Sequence, residues 1–207
     1  MKALIAQHIT LMNLTKNKLN QIKMKKIQLG SSVAVSDPCY EKAELILDNV
    51  LFGDYVPFVR HLLLEDWGNR IGALVCVHES FVGNELTWEE EDAIGVDSGQ
   101  AGIFSLDTYQ KDEAVVGLTP YDFKGGHPDM EEFWYRVCCN MTIGERAWGT
   151  YDKGVVSSSG LGDGCYNVYV AKHEGKIVGI HIDFGVYQEP DFHFYLVCSN
   201  TPQHQAL

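Results

Sequence analysis

The sequence predicts an α+β domain, mainly antiparallel β-sheet built on two related hairpins, with one amphipathic helix packed on it. Three observations carry this. From Ile27 onward, short apolar or alternating runs are broken by Gly, Ser, Asp and Pro. One run repeats: Gly53-Asp54-Tyr55-Val56-Pro57-Phe58-Val59 matches Gly164-Cys165-Tyr166-Asn167-Val168-Tyr169-Val170. Each copy leads through a polar stretch to a second strand-like run, Ile71–Val77 or Ile177–Asp183, the pattern of one β-hairpin in each half. Finally, Met130, Phe133, Trp134, Val137, Cys138 and Met141 recur at helical spacing.

Taken in order, Ile27–Leu29 and Val33–Val35 read as short strands around Gly30-Ser31-Ser32. Residues 41–47 predict a short helix after Pro38. The first hairpin carries the longer connection, around Leu62 to Trp67, and the second the tight His173-Glu174-Gly175-Lys176 turn. Leu74 and Cys76 align with Ile180 and Ile182, a face that is core in both copies. On the other face, Val75 and Val77 become His181 and Asp183. The first hairpin is therefore expected to be buried on both sides, and the second to open one side to water or to a site. Pro128 opens the helix, 128–141, and Asp129, Glu131 and Glu132 suit the positive end of its dipole. Its Phe133 and Trp134 are expected in the core. Phe192–Val197 reads as a last strand before a polar tail.

Of the 207 residues, 45% are hydrophobic and 21% charged, a globular composition. A chain of this length buries roughly 70% of its unfolded surface and needs no disulfide or metal to fold. Net charge is -12 and unevenly spread: residues 1–23 hold four lysines and no acid, so the rest carries 12 basic and 28 acidic residues. Such a body repels phosphate backbones, so nucleic acid is not an expected partner. Residues 1–23 read as a basic N-terminal extension and 24–207 as a single β-rich domain, with Met24 as a natural start. No run of 18 apolar residues predicts a membrane span. Cys39, Cys76, Cys138, Cys139, Cys165 and Cys198 contain no C-x-x-C pair, and the expectation is a reduced, cytoplasmic protein.

Three short motifs place an aspartate beside Gly, Pro or Ser in a break between apolar runs: Ser36-Asp37-Pro38-Cys39-Tyr40, Val96-Asp97-Ser98-Gly99-Gln100-Ala101-Gly102 and Gly160-Leu161-Gly162-Asp163-Gly164. Aspartates in such turns tie strand ends together and can also line a cleft. The ligand-binding candidates are Asp37, Asp97, Ser98, Gln100 and Asp163. Asp97-Ser98-Gly99, preceded by Ile94 and Val96, has the form of an aspartic-protease loop, but that chemistry needs two aspartates sharing a proton and one copy is present. As a simple turn, its Asp97 and Ser98 side chains are expected to bond backbone amides. The glycines of the third motif let backbone amides approach an anion, yet no Lys or helix start follows in the manner of a phosphate loop. His181 and Asp183 share a strand face, and His193 lies on the next strand. They form a weak divalent-metal candidate whose convergence depends on register. Cys39 has the chemistry of a nucleophile with no signature around it. No motif names a cofactor.

Asp37–Tyr40, Val96–Phe104 and Gly160–Val168 together resemble an uncharacterised family of bacterial and phage proteins, a domain of unknown function, over about residues 26–185. The resemblance implies a compact β-rich domain and a phage or mobile-element origin, and it carries over no catalytic residues. The expected function is non-catalytic: binding of a small polar ligand or a protein partner, in phage–host conflict, with no nucleic acid or membrane partner and oligomerisation open. The alternative is a metal-dependent hydrolase using Asp37, Asp97 and Asp163. A structural component of a larger assembly is also compatible with the acidic surface. Geometry separates the first two. Carboxylates within about 5 Å of one point favour a metal; carboxylates pointing into separate turns and bonding backbone favour binding or pure structure.

Overall fold

Two antiparallel sheets make up the body in a computed structural model that describes residues 25–118, 133–144, 146–186 and 195–196. The strands are β1 (Ile27–Leu29), β2 (Val33–Ser36), β3 (Leu45–Leu47), β4 (Gly53–Leu64), β5 (Gly68–His78), β6 (Trp88–Val96), β7 (Gln100–Ser105), β8 (Trp148–Tyr151), β9 (Gly154–Ser158), β10 (Gly164–His173), β11 (Lys176–Asp183) and β12 (Tyr195–Leu196). The larger sheet has the order β1-β4-β5-β11-β10-β6, with β12 also paired to β4. The smaller has the order β3-β2-β7-β9-β8. The chain crosses between sheets at the short breaks 30–32, 48–52, 97–99 and 159–163. The third ends in Gly99 and the fourth holds Gly160 and Gly162, all at positive φ, where the backbone turns without a Cβ penalty.

Alternation places one core between the sheets: Ile27, Leu29, Val33, Val35, Leu74, Cys76, Ile103, Val155, Ile180 and Ile182 all belong to it. Burying each large side chain contributes roughly 1.5–3 kcal/mol. The helix α1 (Phe133–Thr142) covers the outer face of the smaller sheet. Trp134 is fully buried there, with ring centroids 4.9 Å from Phe104 and 5.2 Å from Tyr109. Val137 and Cys138 are buried beside it, as the stripe predicts, whereas Phe133 and Met141 are half-buried at its margin. The expected start of the helix, Pro128 to Glu132, lies outside the described residues.

Both predicted hairpins form, β4–β5 and β10–β11, and they share a register. Val59 faces Leu74 as Val170 faces Ile180, and Phe58 faces Val75 as Tyr169 faces His181. Each ladder then breaks at the same place, between Arg60 and His61 and between Ala171 and Lys172. Tyr55 donates its hydroxyl to the Leu51 carbonyl at 3.0 Å, and Tyr166 donates its own to Gly162 at 2.6 Å. The two hairpins adjoin where β5 pairs with β11, with Val75 opposite His181.

Three expectations are corrected. Residues 41–47 are not helical: bends fall within 41–44, and Leu45–Leu47 pair with β2 with Leu47 buried, a segment this short gaining too few helical hydrogen bonds to offset nucleation. The first hairpin has no long insert. Its strands extend to Leu64 and Gly68, joined by Glu65-Asp66-Trp67 with Gly68 at φ +67°, a three-residue loop closed by a bulge. His181 and Asp183 do not open to water; they are 5% and 7% exposed on the outer face of the larger sheet. Trp88 covers His181, with ring centroids 5.6 Å apart. Of the predicted last strand, Tyr195–Leu196 is described.

The edge strand β6 carries exposed Glu89, Glu90, Glu91 and Asp92. Two of its amides are capped by carboxylates: Ala93 N–H donates to Asp92 Oδ1 at 2.8 Å, and Gly95 N–H donates to Glu44.

Candidate functional site

The first motif follows β2, and its Asp37 is fully buried. A buried carboxylate is costly unless donors surround it, and here they do. Oδ1 accepts the Cys39 amide at 2.8 Å and the Ser98 hydroxyl at 2.6 Å. Oδ2 accepts the amides of Asp97 at 2.9 Å and Ser98 at 2.7 Å. The sequence expectation had Asp97 and Ser98 side chains bonding amides; instead the amides of that turn converge on Asp37. The reason is placement. Asp37 sits in the core-side angle where β6 crosses to β7, while Asp97 faces solvent.

The 36–40 turn is clamped on its other side by residues no motif announced. Tyr109 directs its hydroxyl to the Tyr40 carbonyl at 2.7 Å, with the Asp37 carbonyl at 3.1 Å. Gln110 Nε2 donates to the Pro38 carbonyl at 2.7 Å. Gln100, a ligand candidate, is buried and faces α1: its Nε2 reaches Cys139 Sγ at 3.3 Å and its Oε1 accepts from Thr142 at 2.9 Å.

The third motif joins the same rim. Ser159 N–H donates to the Gly99 carbonyl at 3.0 Å, and Gly164 pairs with Val96. Gly160, at φ +58°, lies so close to Val186 that a Cβ there would come within 2.9 Å of its side chain. The loop is laced internally, with Ser159 Oγ donating to Gly162 O at 2.8 Å. All three motifs thus meet at one rim, but their carboxylates do not share a centre. Asp37 is inside, and Asp97 and Asp163 are exposed. Among the described residues no three His, Cys, Asp or Glu side chains are grouped to hold a metal. An open cleft of about 370 Å³ lies beside the third motif, lined by Asp163, Tyr166, Asn167, Asp183, Phe184 and Val186.

His193 lies outside the described residues. Asp183 Oδ1 is 3.5 Å from Arg60 Nη2, a buried ion pair, and accepts the Gly185 amide at 3.0 Å. Arg60 also donates to the carbonyls of Gly72 and Val186. Among the described residues, His181 has no hydrogen-bond partner on either ring nitrogen. Burial lowers its pKa to about 4, with Arg60 acting in the same direction and Asp183 opposing. It is therefore a neutral imidazole near pH 7.

Cys39 is not activated. Burial and the Asp37 carboxylate push its thiol up to about 12, so almost none is thiolate near neutrality. Cys76 and Cys138 are buried and Cys165 is exposed, and all described cysteines are free thiols. Brief iodoacetamide treatment of the native protein, read by peptide mass, is expected to label Cys165 first and to leave Cys76 and Cys138 untouched until unfolding. Cys39 labelling as fast as Cys165 would revive the nucleophile reading. No helix among the described residues is long and apolar enough to cross a membrane. Set against protein-family models, curated proteins and solved structures, the chain has no match in any of the three comparisons.

Proposed function

We propose that this is a non-catalytic binding protein that captures a small polar ligand in the cleft beside its aspartate rim. The observation that carries this is the engagement of Asp37. Both carboxylate oxygens are saturated by donors from its own and the neighbouring turn, so it acts as the keystone of the rim and not as a reactant. The ligand would meet Asp163, Asn167 and Asp183, a polar lining with Phe184 and Val186 as its apolar part. On this reading the two hairpins are copies of one unit, supported by their common register, and function lies where the copies diverge. Val56 corresponds to Asn167, Phe58 to Tyr169, Val75 to His181 and Val77 to Asp183. The motif resemblance to a bacterial and phage family, a role in phage–host conflict and a cytoplasmic location belong to the same proposal.

Mass measurement under native and then denaturing conditions tests it. The expected result is a native mass above an integer number of chains, lost on denaturation and lost from the Asp163→Ala/Asn167→Ala variant. A clean integer multiple overturns small-ligand capture and turns the search to a protein partner. An excess equal to a divalent ion favours the Asp-based hydrolase instead.

A further inference from the structure

His181 is a buried polar side chain that the fold does not require. It is 5% exposed on the outer face of the larger sheet, and among the described residues neither ring nitrogen has a hydrogen-bond partner. A buried polar group left without partners costs stability and is rare in native structures. The same face accommodates an apolar residue at the matching register position: Val75 stands directly opposite on β5, and it pairs with Phe58 as His181 pairs with Tyr169. Valine at 181 would forfeit no hydrogen bond. What the imidazole has and valine lacks, in these surroundings, is the capacity to take a proton.

That proton would have consequences at the rim cleft. Around the ring, β6 supplies Trp88, β10 Tyr169, β5 Val75 and β4 Arg60. Asp183 lies two residues along β11 on the same face and is the carboxylate that acts on the ring, while Glu90, opposite Tyr169 on β6, is exposed. Asp183 is also a fastening. Its Oδ1 accepts the Gly185 amide at 3.0 Å and meets Arg60 Nη2 at 3.5 Å, and the same Arg60 nitrogen holds the Val186 carbonyl at 3.2 Å. Residues 183–186 form one wall of the rim cleft, and Val186 packs against Gly160 of the third motif. We propose that His181 is a proton-operated release for this cleft: a proton from solvent makes the ring a buried cation that draws Asp183 off the Gly185 amide and Arg60, and the 184–186 wall comes loose. This rests on the reading of the rim cleft as the binding site, and adds that capture holds near neutral pH and fails in acid. The sign follows from linkage. The ordinary value for histidine is 6.5, and with the wall closed burial lowers this one to about 4, so protons favour the open wall. From about pH 7 to about pH 5 the open-to-closed ratio rises roughly twentyfold.

Amide hydrogen exchange on the full chain, with no ligand added, tests this. The Phe184 amide donates to the Gly72 carbonyl at 3.1 Å and reports the wall; the slowest-exchanging amides report global unfolding. Phe184 is expected to exchange ahead of those amides at both pH values. Corrected for the intrinsic effect of pH on exchange, its rate is expected to rise roughly twentyfold from about pH 7 to about pH 5. His181→Gln, which stays neutral, is expected to lose that rise. So is His181→Val, which carries the residue found at position 75 and serves if the glutamine variant folds poorly. A rise that persists in the variants overturns the proposal, as does a native rate that moves less than about threefold. So does exchange of Phe184 only in step with the slowest amides, because the wall then opens only when the whole molecule does. Since no ligand enters the experiment, its failure is told apart from a clean integer mass, which bears on capture alone.

Discussion

Replacing Asp37 by Ala is expected to lower the stability of the protein by about 3–5 kcal/mol, the scale seen when one member of a buried charged network is removed. The substitution strands three amides, those of Cys39, Asp97 and Ser98, and the Ser98 hydroxyl, all of which converge on the fully buried Asp37 position. Asp37→Asn keeps the shape but turns one acceptor into a donor that faces amides, so it is expected to cost nearly as much. Urea denaturation followed by tryptophan fluorescence measures both. A loss under about 1 kcal/mol would mean that the rim is held by Tyr109 and Gln110 alone and that Asp37 is free for chemistry. That outcome would reopen the hydrolase reading.

Acid is expected to weaken the fold through His181. The ordinary value for histidine is 6.5 and burial lowers this one to about 4, so the unfolded chain binds the proton first as pH falls. The stability tied to the neutral ring is therefore complete above about pH 6.5, declines between there and about pH 4, and is constant for this group below. The full difference is on the order of 3 kcal/mol. The groups that face the ring are Trp88, Tyr169, Arg60 and Asp183. Of these, Asp183 limits the loss and Arg60 enlarges it. Denaturation curves near pH 7 and near pH 4.5, for the native protein and for His181→Leu, isolate the effect. A variant that loses as much stability on acidification as the native protein would sink the assignment.

The parts of this architecture visible in the sequence are those whose causes are local. Alternation marked β10 and β11, and the polar breaks after the first strand of each pair marked both hairpins. Helical spacing marked Trp134, Val137 and Cys138. The Asp97-Ser98-Gly99 and Gly160–Gly164 breaks marked two of the crossings and, with the Asp37-Pro38 turn, the rim. What stayed hidden depends on contacts far apart in sequence. β6 escaped notice because Glu89 to Asp92 are the residues of an edge strand, with no apolar period to announce it. Tyr109 and Gln110 lie in an irregular stretch, and their role arises only when the 36–40 turn folds against them. His181 and Asp183 looked solvent-facing because polar residues usually are; the covering segment with Trp88 is distant in the chain.

The capped edge of β6 bears on how molecules of this protein behave in a crowd. An incoming strand needs amides that are free to donate, and at Ala93 and Gly95 those amides already point into carboxylates. The row of acids from Glu89 to Asp92 adds repulsion between two such edges. Salt screens that repulsion but does not remove the caps. Fibril growth by strand addition is thereby blocked along this side of the sheet by two independent means, one of which persists in concentrated electrolyte.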